Sequence, residues 1–271
     1  MPEACLSSSP SAPRADSSLA LLRRRLRLRQ RWRSATAIKR DAELSWWLNQ
    51  WEPIIRDGGF NPGDVADLLD GEPAAETYDG RRWQHARAEV RRVLREASIE
   101  DDSFFEDKVV VDIGPGPLGF PDACPARISI GVEPLAQRFA DAGLLLDSHA
   151  VYLVTGAESI PLVSGSVDIV IARNSLDHVE DPSAAVAEAR RILRPGGTMI
   201  LNFDVRSTPT PTEPHMLDAA DVRLWLAPMT IVHEAAWDHG HGKEGHVVVL
   251  VARQGPSAGA PPCSPDLPDS V

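Results

Sequence analysis

Short apolar runs at 108–113, 128–133, 151–154, 167–172 and 198–203 alternate with longer polar or helical stretches, and this alternation most narrows the fold. A strand buried on both faces reads as a nearly unbroken apolar run, and parallel neighbours must be joined by a long crossover. The pattern predicts an α/β fold, with a mostly parallel sheet covered by helices on both faces. The clearest crossover helix starts at Asp181 as cap with Pro182 in its first turn; Val186, Ala189 and Leu193 form its buried stripe and Pro195-Gly196-Gly197 ends it. After the loop STPTPTEP a helix is expected over Asp218 to Leu226. Met229 to Ala235 and His246 to Ala252 then read as an antiparallel hairpin at one edge of the sheet.

The first strand runs into VVVDIGPGPLG, so Gly114, Gly116 and Gly119 form a GxGxxG array in the strand-to-helix setting that signifies a bound nucleotide. Ligands of open parallel sheets sit beyond the carboxyl ends of the strands, where Asp112 and these glycines fall. Glu133 ends the next strand, close to the roughly 20-residue offset at which a carboxylate accepts hydrogen bonds from ribose hydroxyls. Its structural alternative is a surface carboxylate capping the helix after Pro134. Pro115 and Pro117 have no N–H, so the turn lacks two donors that a pyrophosphate cradle would use. A nucleoside ligand without phosphate suits it better.

These segments resemble class I S-adenosylmethionine-dependent methyltransferases. VVVDIGPGPLG resembles their first motif, IGVEP their ribose-binding second strand, SGSVDIVIARNSLDHVEDP their fourth strand and following loop, and RILRPGGTMIL the turn into their fifth strand. The likeness covers about residues 105 to 205 and is closest to the methyltransferase-domain group acting on small molecules. It implies a Rossmann-like fold and S-adenosyl-L-methionine as cofactor. It further implies Asp112, Gly114 and Gly116 along the methionine half, Glu133 at the ribose, Ala157 and Glu158 beside the adenine, and Arg173 and Asn174 where the chain passes the reactive methyl. Many relatives carry an acid where this chain has Gly156, which leaves Glu158 as the candidate replacement.

Methyl transfer asks a protein mainly to orient the acceptor and exclude water. For a hydroxyl acceptor a base is useful, and His178 is the best-placed choice, after the fourth strand at the pocket mouth. The acceptor implied is a small molecule, through oxygen of a metabolite or saccharide ahead of nitrogen or carbon. The same glycines and Glu133 would also serve a nicotinamide-dependent oxidoreductase, and a methyltransferase-like scaffold would keep the fold without turnover. His239, His241 and His246 sit in or beside a Gly-rich turn with no neighbouring Cys or helical i, i+4 pair, so no metal site is read there. Asp168, acidic inside an apolar strand, is expected to face loop amides.

The rest of the chain adds organisation. Residues 19–107 are expected to be helical, with stripes at Leu44, Trp47, Leu48 and Trp51, and at Trp83, Ala86, Val90, Val93, Leu94 and Ala97. Residues 108–254 form the predicted cofactor-binding domain, and residues 1–18 and 255–271, rich in Ser, Pro and Ala, read as disordered tails. The net charge of −11 argues against general affinity for nucleic acid. Residues 19–40 nevertheless carry nine Lys or Arg and no acid, which makes them either a solvated helix flank or a basic arm for an anionic partner. No apolar run approaches the roughly 20 residues of a membrane span, and no secretory signal precedes the fold, so the cytoplasm is the expected compartment. Cys5, Cys124 and Cys263 are too scattered for a disulfide framework.

Overall fold

The computed structural model describes residues 36–57, 67–73, 75–101, 103–205, 208–210, 212–238 and 245–256. Both predicted tails, apart from Gly255 and Pro256, and the densest part of the basic segment lie outside them, as do His239 and His241. The chain divides into Met1–Glu43 and Leu44–Val271. In the first unit, residues 36–43 are helical and Lys39 pairs with Glu43 one turn on, at 3.5 Å.

The second unit is built on seven strands: β1 Val109–Ile113, β2 Ile128–Val132, β3 Val151–Leu153, β4 Val167–Arg173, β5 Leu193–Val205, β6 Thr230–Asp238 and β7 His246–Arg253. Their order is β3-β2-β1-β4-β5-β7-β6. The pairs from β3 through β5 are parallel, and β7 is antiparallel to both β5 and β6, so the predicted hairpin forms one edge. This is the mostly parallel α/β sheet that the apolar runs predicted, in the Rossmann-like form that the resemblance implies. The helices are α1 Glu52–Arg56, α2 Tyr78–Glu96, α3 Phe120–Ala123, α4 Ala136–Asp141, α5 Pro182–Ile192 and α6 Ala219–Leu226.

Successive strand residues face opposite sides, and the core divides accordingly. Val111, Val170, Met199 and Leu201 pack with Val186, Ala189 and Ile192 of α5 and with Val222 and Leu226 of α6. On the other face, Val110, Ile169, Ile171 and Ile200 meet Val90, Val93 and Leu94 of α2 and Ala97 just beyond it. The second predicted stripe therefore packs on the sheet, although Trp83 is only half-buried.

Three local expectations change. Residues 47–51 form a π-helical turn, whose wider winding breaks the i, i+3, i+4, i+7 face. Leu44 and Trp47 still pack against Leu135, Phe139 and Leu144, but Leu48 is exposed. Helix α5 ends at Ile192; Leu193 is already extended (φ −66°, ψ 133°), and the Pro-Gly-Gly turn belongs to the start of β5. There the register with β4 shifts before regular pairing starts at Thr198. Asp181 does cap α5, accepting the Ala184 N–H at 3.0 Å, and Asp218 caps α6, accepting the Ala220 N–H at 2.6 Å.

Candidate functional site

The carboxyl ends of β1, β2 and β4 meet at the glycine loop. Gly114 takes φ +68° and Gly116 φ +66°, a left-handed conformation that costs other residues about 1–2 kcal/mol. A Cβ at Gly114 would lie 2.7 Å from the Ser175 Cβ, and one at Gly116 would lie 2.6 Å from the Trp47 indole. The Ser175 hydroxyl donates to the Ile113 carbonyl at 2.6 Å, tying the loop after β4 to the end of β1. The N-terminal π-turn is thus packed directly on the loop that sequence assigned to the cofactor.

Two carboxylates are buried here. Asp112 is 4% exposed and Glu133 7%. Burial pushes the Asp112 carboxyl well above the usual carboxylate range; Arg173 opposes the shift, while Glu89, Glu133 and Asp122 add to it. Glu133 accepts the Leu135 N–H at 2.8 Å and the Gly116 N–H at a longer 3.3 Å. It therefore ties the turn after Pro134 to the glycine loop as a buried residue, not as the surface carboxylate of the structural alternative. Two buried acids beside a backbone cradle fit a ligand that carries an ammonium group and sugar hydroxyls.

Other predicted positions have different occupations. The Glu158 carboxylate accepts the N–H groups of Glu180 and Asp181, at 2.7 and 3.1 Å, and so steadies the entry to α5. A Cβ at Gly156 would lie 2.7 Å from its other oxygen. Ala157 is buried in the same core cluster as Val132 and Leu176. The Arg173 guanidinium is engaged by Glu89 at 2.6 Å and Glu96 at 3.3 Å, both on α2, so its side chain fastens that helix to β4. Asn174, exposed and left-handed at φ +47°, donates its N–H to the Asn202 carbonyl at 2.8 Å. Asp168 accepts the Val109 N–H at 2.7 Å and pairs with Arg194, so its role is structural as expected, but its partners are a residue of β1 and a guanidinium rather than loop amides.

His178 follows β4 in a turn and donates its N–H to the Ser175 carbonyl at 3.1 Å. Its Nε2 is 3.9 Å from Asp177 Oδ1 and 3.9 Å from Glu213 Oε1. Sequence reasoning missed both acids. Asp177 adjoins the histidine and was open to notice, whereas Glu213 arrives from the Thr/Pro loop after β5 and carries no local signal. Burial raises the Asp177 carboxyl; His178 opposes, and Glu213 and Asp204 reinforce.

Residues 111–201 match the methyltransferase-domain family. Over those residues, about a third of the chain, and in its strand order and glycine loop, the chain is similar to a class I S-adenosylmethionine-dependent methyltransferase domain, for which S-adenosyl-L-methionine is the implied cofactor. An uncharacterized methyltransferase of Mycobacterium sp. (strain JLS) is 37% identical over 101 residues, covering 36% of this chain and 39% of that protein. A malonyl-[acyl-carrier protein] O-methyltransferase of Hahella chejuensis is 30% identical over 154 residues, covering 54% of this chain and 51% of its own length. The chain thus spans about two fifths to one half of these curated relatives. Among solved structures, an S-adenosylmethionine-dependent methyltransferase from Mesorhizobium loti superposes with TM-score 0.46 at 15% identity, covering 61% of this chain and 95% of that one. Among the described residues no helix is long and apolar enough to cross a membrane.

Proposed function

We propose that this protein transfers the methyl group of S-adenosyl-L-methionine to a small-molecule acceptor, an oxygen of a metabolite or saccharide, in the cytoplasm. The observation that carries the reading is the pair of buried carboxylates, Asp112 near the end of β1 and Glu133 just past β2, on either side of the Gly114–Gly116 turn. Asp112 would hold the cofactor's amino group, whose charge offsets the burial of the acid. Glu133 would exchange its long contact with Gly116 for the ribose hydroxyls. Gly114 and Gly116 would line the methionine half, and the backbone around Ala157 and Glu158 the adenine. Arg173 would act by holding α2 and β4 around the crevice, and Asn174 would face the ligand from the end of β4.

When bound, the cofactor supplies a methyl group on a positively charged sulfur, which needs orientation more than activation. The acceptor oxygen forms its bond to that carbon as the carbon–sulfur bond breaks, and its proton must leave. His178 is assigned to this side of the reaction, at the mouth beyond β4. Calorimetry with S-adenosylhomocysteine and with NAD, on wild type and on Asp112→Ala and Glu133→Ala, tests the cofactor half. We expect S-adenosylhomocysteine to bind and each variant to weaken it by about 1–3 kcal/mol, as for lost hydrogen bonds to buried polar groups. NAD binding without response to S-adenosylhomocysteine would reverse the choice. Labelled product from a metabolite extract tests the acceptor half, and binding without turnover across the panel would favour a scaffold.

A further inference from the structure

Asp177, His178 and Glu213 form a set of donors at the open end of β4. Among the described residues this is the group of His, Cys, Asp or Glu side chains placed to hold a metal ion, with one ligand atom of each within 4.8 Å of the others. Acids alone would mean little. The second observation is Asp177 Oδ1, which is buried without a hydrogen-bond partner on a side chain only 3% exposed, and which points toward His178 Nε2. Leaving such an oxygen unpaired costs a protein about 1–3 kcal/mol, and more for a charged group.

Among the described residues, the charged groups that act on Asp177 include His178, Glu213 and Asp204. Asp204 is itself buried near the end of β5. From these features we infer that Asp177, His178 and Glu213 bind a divalent cation.

Bonds of about 2.0–2.2 Å to nitrogen and oxygen set neighbouring donors about 3.0–3.5 Å apart, so the 3.9 Å separations must close by about half an ångström. His178 and Glu213, at 30% and 20% side-chain exposure, have room for that movement, while Asp177 is fixed. Two carboxylates and one imidazole suit Mn²⁺ or Zn²⁺. Three protein ligands leave positions open on the exposed side, as in metal sites that act on a substrate oxygen. This part of the inference rests on the proposed methyl transfer and refines it. The cation would hold the acceptor oxygen and make its proton easier to lose to water on the exposed side, and His178 would contribute as a ligand through Nε2 in place of acting as the base.

The test is Mn²⁺ binding to the full chain, stripped with EDTA and dialysed, followed by the loss of the free-ion electron paramagnetic resonance signal. S-adenosylhomocysteine affinity is measured on the same samples. We expect one saturable Mn²⁺ per chain, competed by Zn²⁺, with Kd raised at least tenfold in Asp177→Asn and Glu213→Gln while S-adenosylhomocysteine affinity is unchanged. Pulsed measurements on wild type should show nitrogen coupling from a coordinated imidazole, absent in His178→Ala; this arm stands if a carboxylate variant fails to fold. Failure of the wild type to bind Mn²⁺, equal binding by the variants, or bound Mn²⁺ without nitrogen coupling would overturn the site. Mn²⁺ binding without S-adenosylhomocysteine binding would instead sink the methyl-transfer reading and leave the metal site standing.

Discussion

The Arg173 guanidinium on β4 lies 2.6 Å from the Glu89 carboxylate on α2, and Glu96 reaches the same guanidinium from one end of that helix. The Asn202 side-chain amide donates to Glu96 at 2.7 Å, so two strand ends are fastened to one helix.

Removing Glu89 leaves the Arg173 guanidinium, about a quarter exposed, with Glu96 as its remaining carboxylate. Glu89→Gln should destabilise the protein by about 2–3 kcal/mol in urea unfolding, short of the full loss of a buried pair because Glu96 remains. Burial alone would raise the Glu89 carboxyl, but Arg173 and Arg92 outweigh it and hold it low. A carboxyl lowered on folding contributes stability above its unfolded range and loses that contribution as pH falls through the folded value. Wild type should therefore lose more stability than the variant on acidification below about pH 4.5. Parallel acid profiles for the two proteins would contradict this.

The Asp112 carboxyl is raised in the ligand-free protein, and the proposed partner is an ammonium group that favours its ionised form. Binding should then release a proton. Affinity for S-adenosylhomocysteine should climb with pH, by at most about tenfold per unit, until Asp112 ionises unaided. Asp112→Asn should bind more weakly and flatten the profile, which calorimetry in buffers of different ionisation enthalpy would reveal.

Trp47 and Gly116 are coupled by contact. Gly116→Ala combines a left-handed backbone with a methyl group placed 2.6 Å from the indole. In a Trp47→Ala background the steric part disappears and the backbone strain of about 1–2 kcal/mol remains. A double-mutant cycle on unfolding free energy should return a coupling above about 0.5 kcal/mol. Additivity would mean that the π-turn does not rest on the loop.

Cys124 is fully buried, and burial pushes its thiol up to about 12. Thiolate is the reactive form. Peptide mapping after iodoacetamide at pH 8 should find Cys124 unmodified in the folded protein and labelled once urea unfolds it.

The strands were legible because parallel strands buried on both faces leave short apolar runs, and these alternate with helical segments at the spacing a crossover needs. The cap at Asp181 was legible for a similarly local reason. The end of α5 was not, since Leu193 continues the helical stripe and stays buried, and only its pairing with Val167 makes it the start of β5. Of the proposed site, the glycine turn and both acids stood out by spacing. The engagements of Arg173 with α2 and of Glu158 with the start of α5 depend on which distant backbone arrives beside them. Glu213 depends on the path of a loop, and no period or motif encodes that path.

Ser175 and Gly114 also constrain what related chains could contain. The serine Cβ fills the volume a side chain at 114 would enter, and its hydroxyl is spent on the Ile113 carbonyl. A substitution at either position would reshape the other strand's exit, so the two loops should drift through evolution as one unit. Engineering a wider crevice by changing one alone would pull its neighbour out of place.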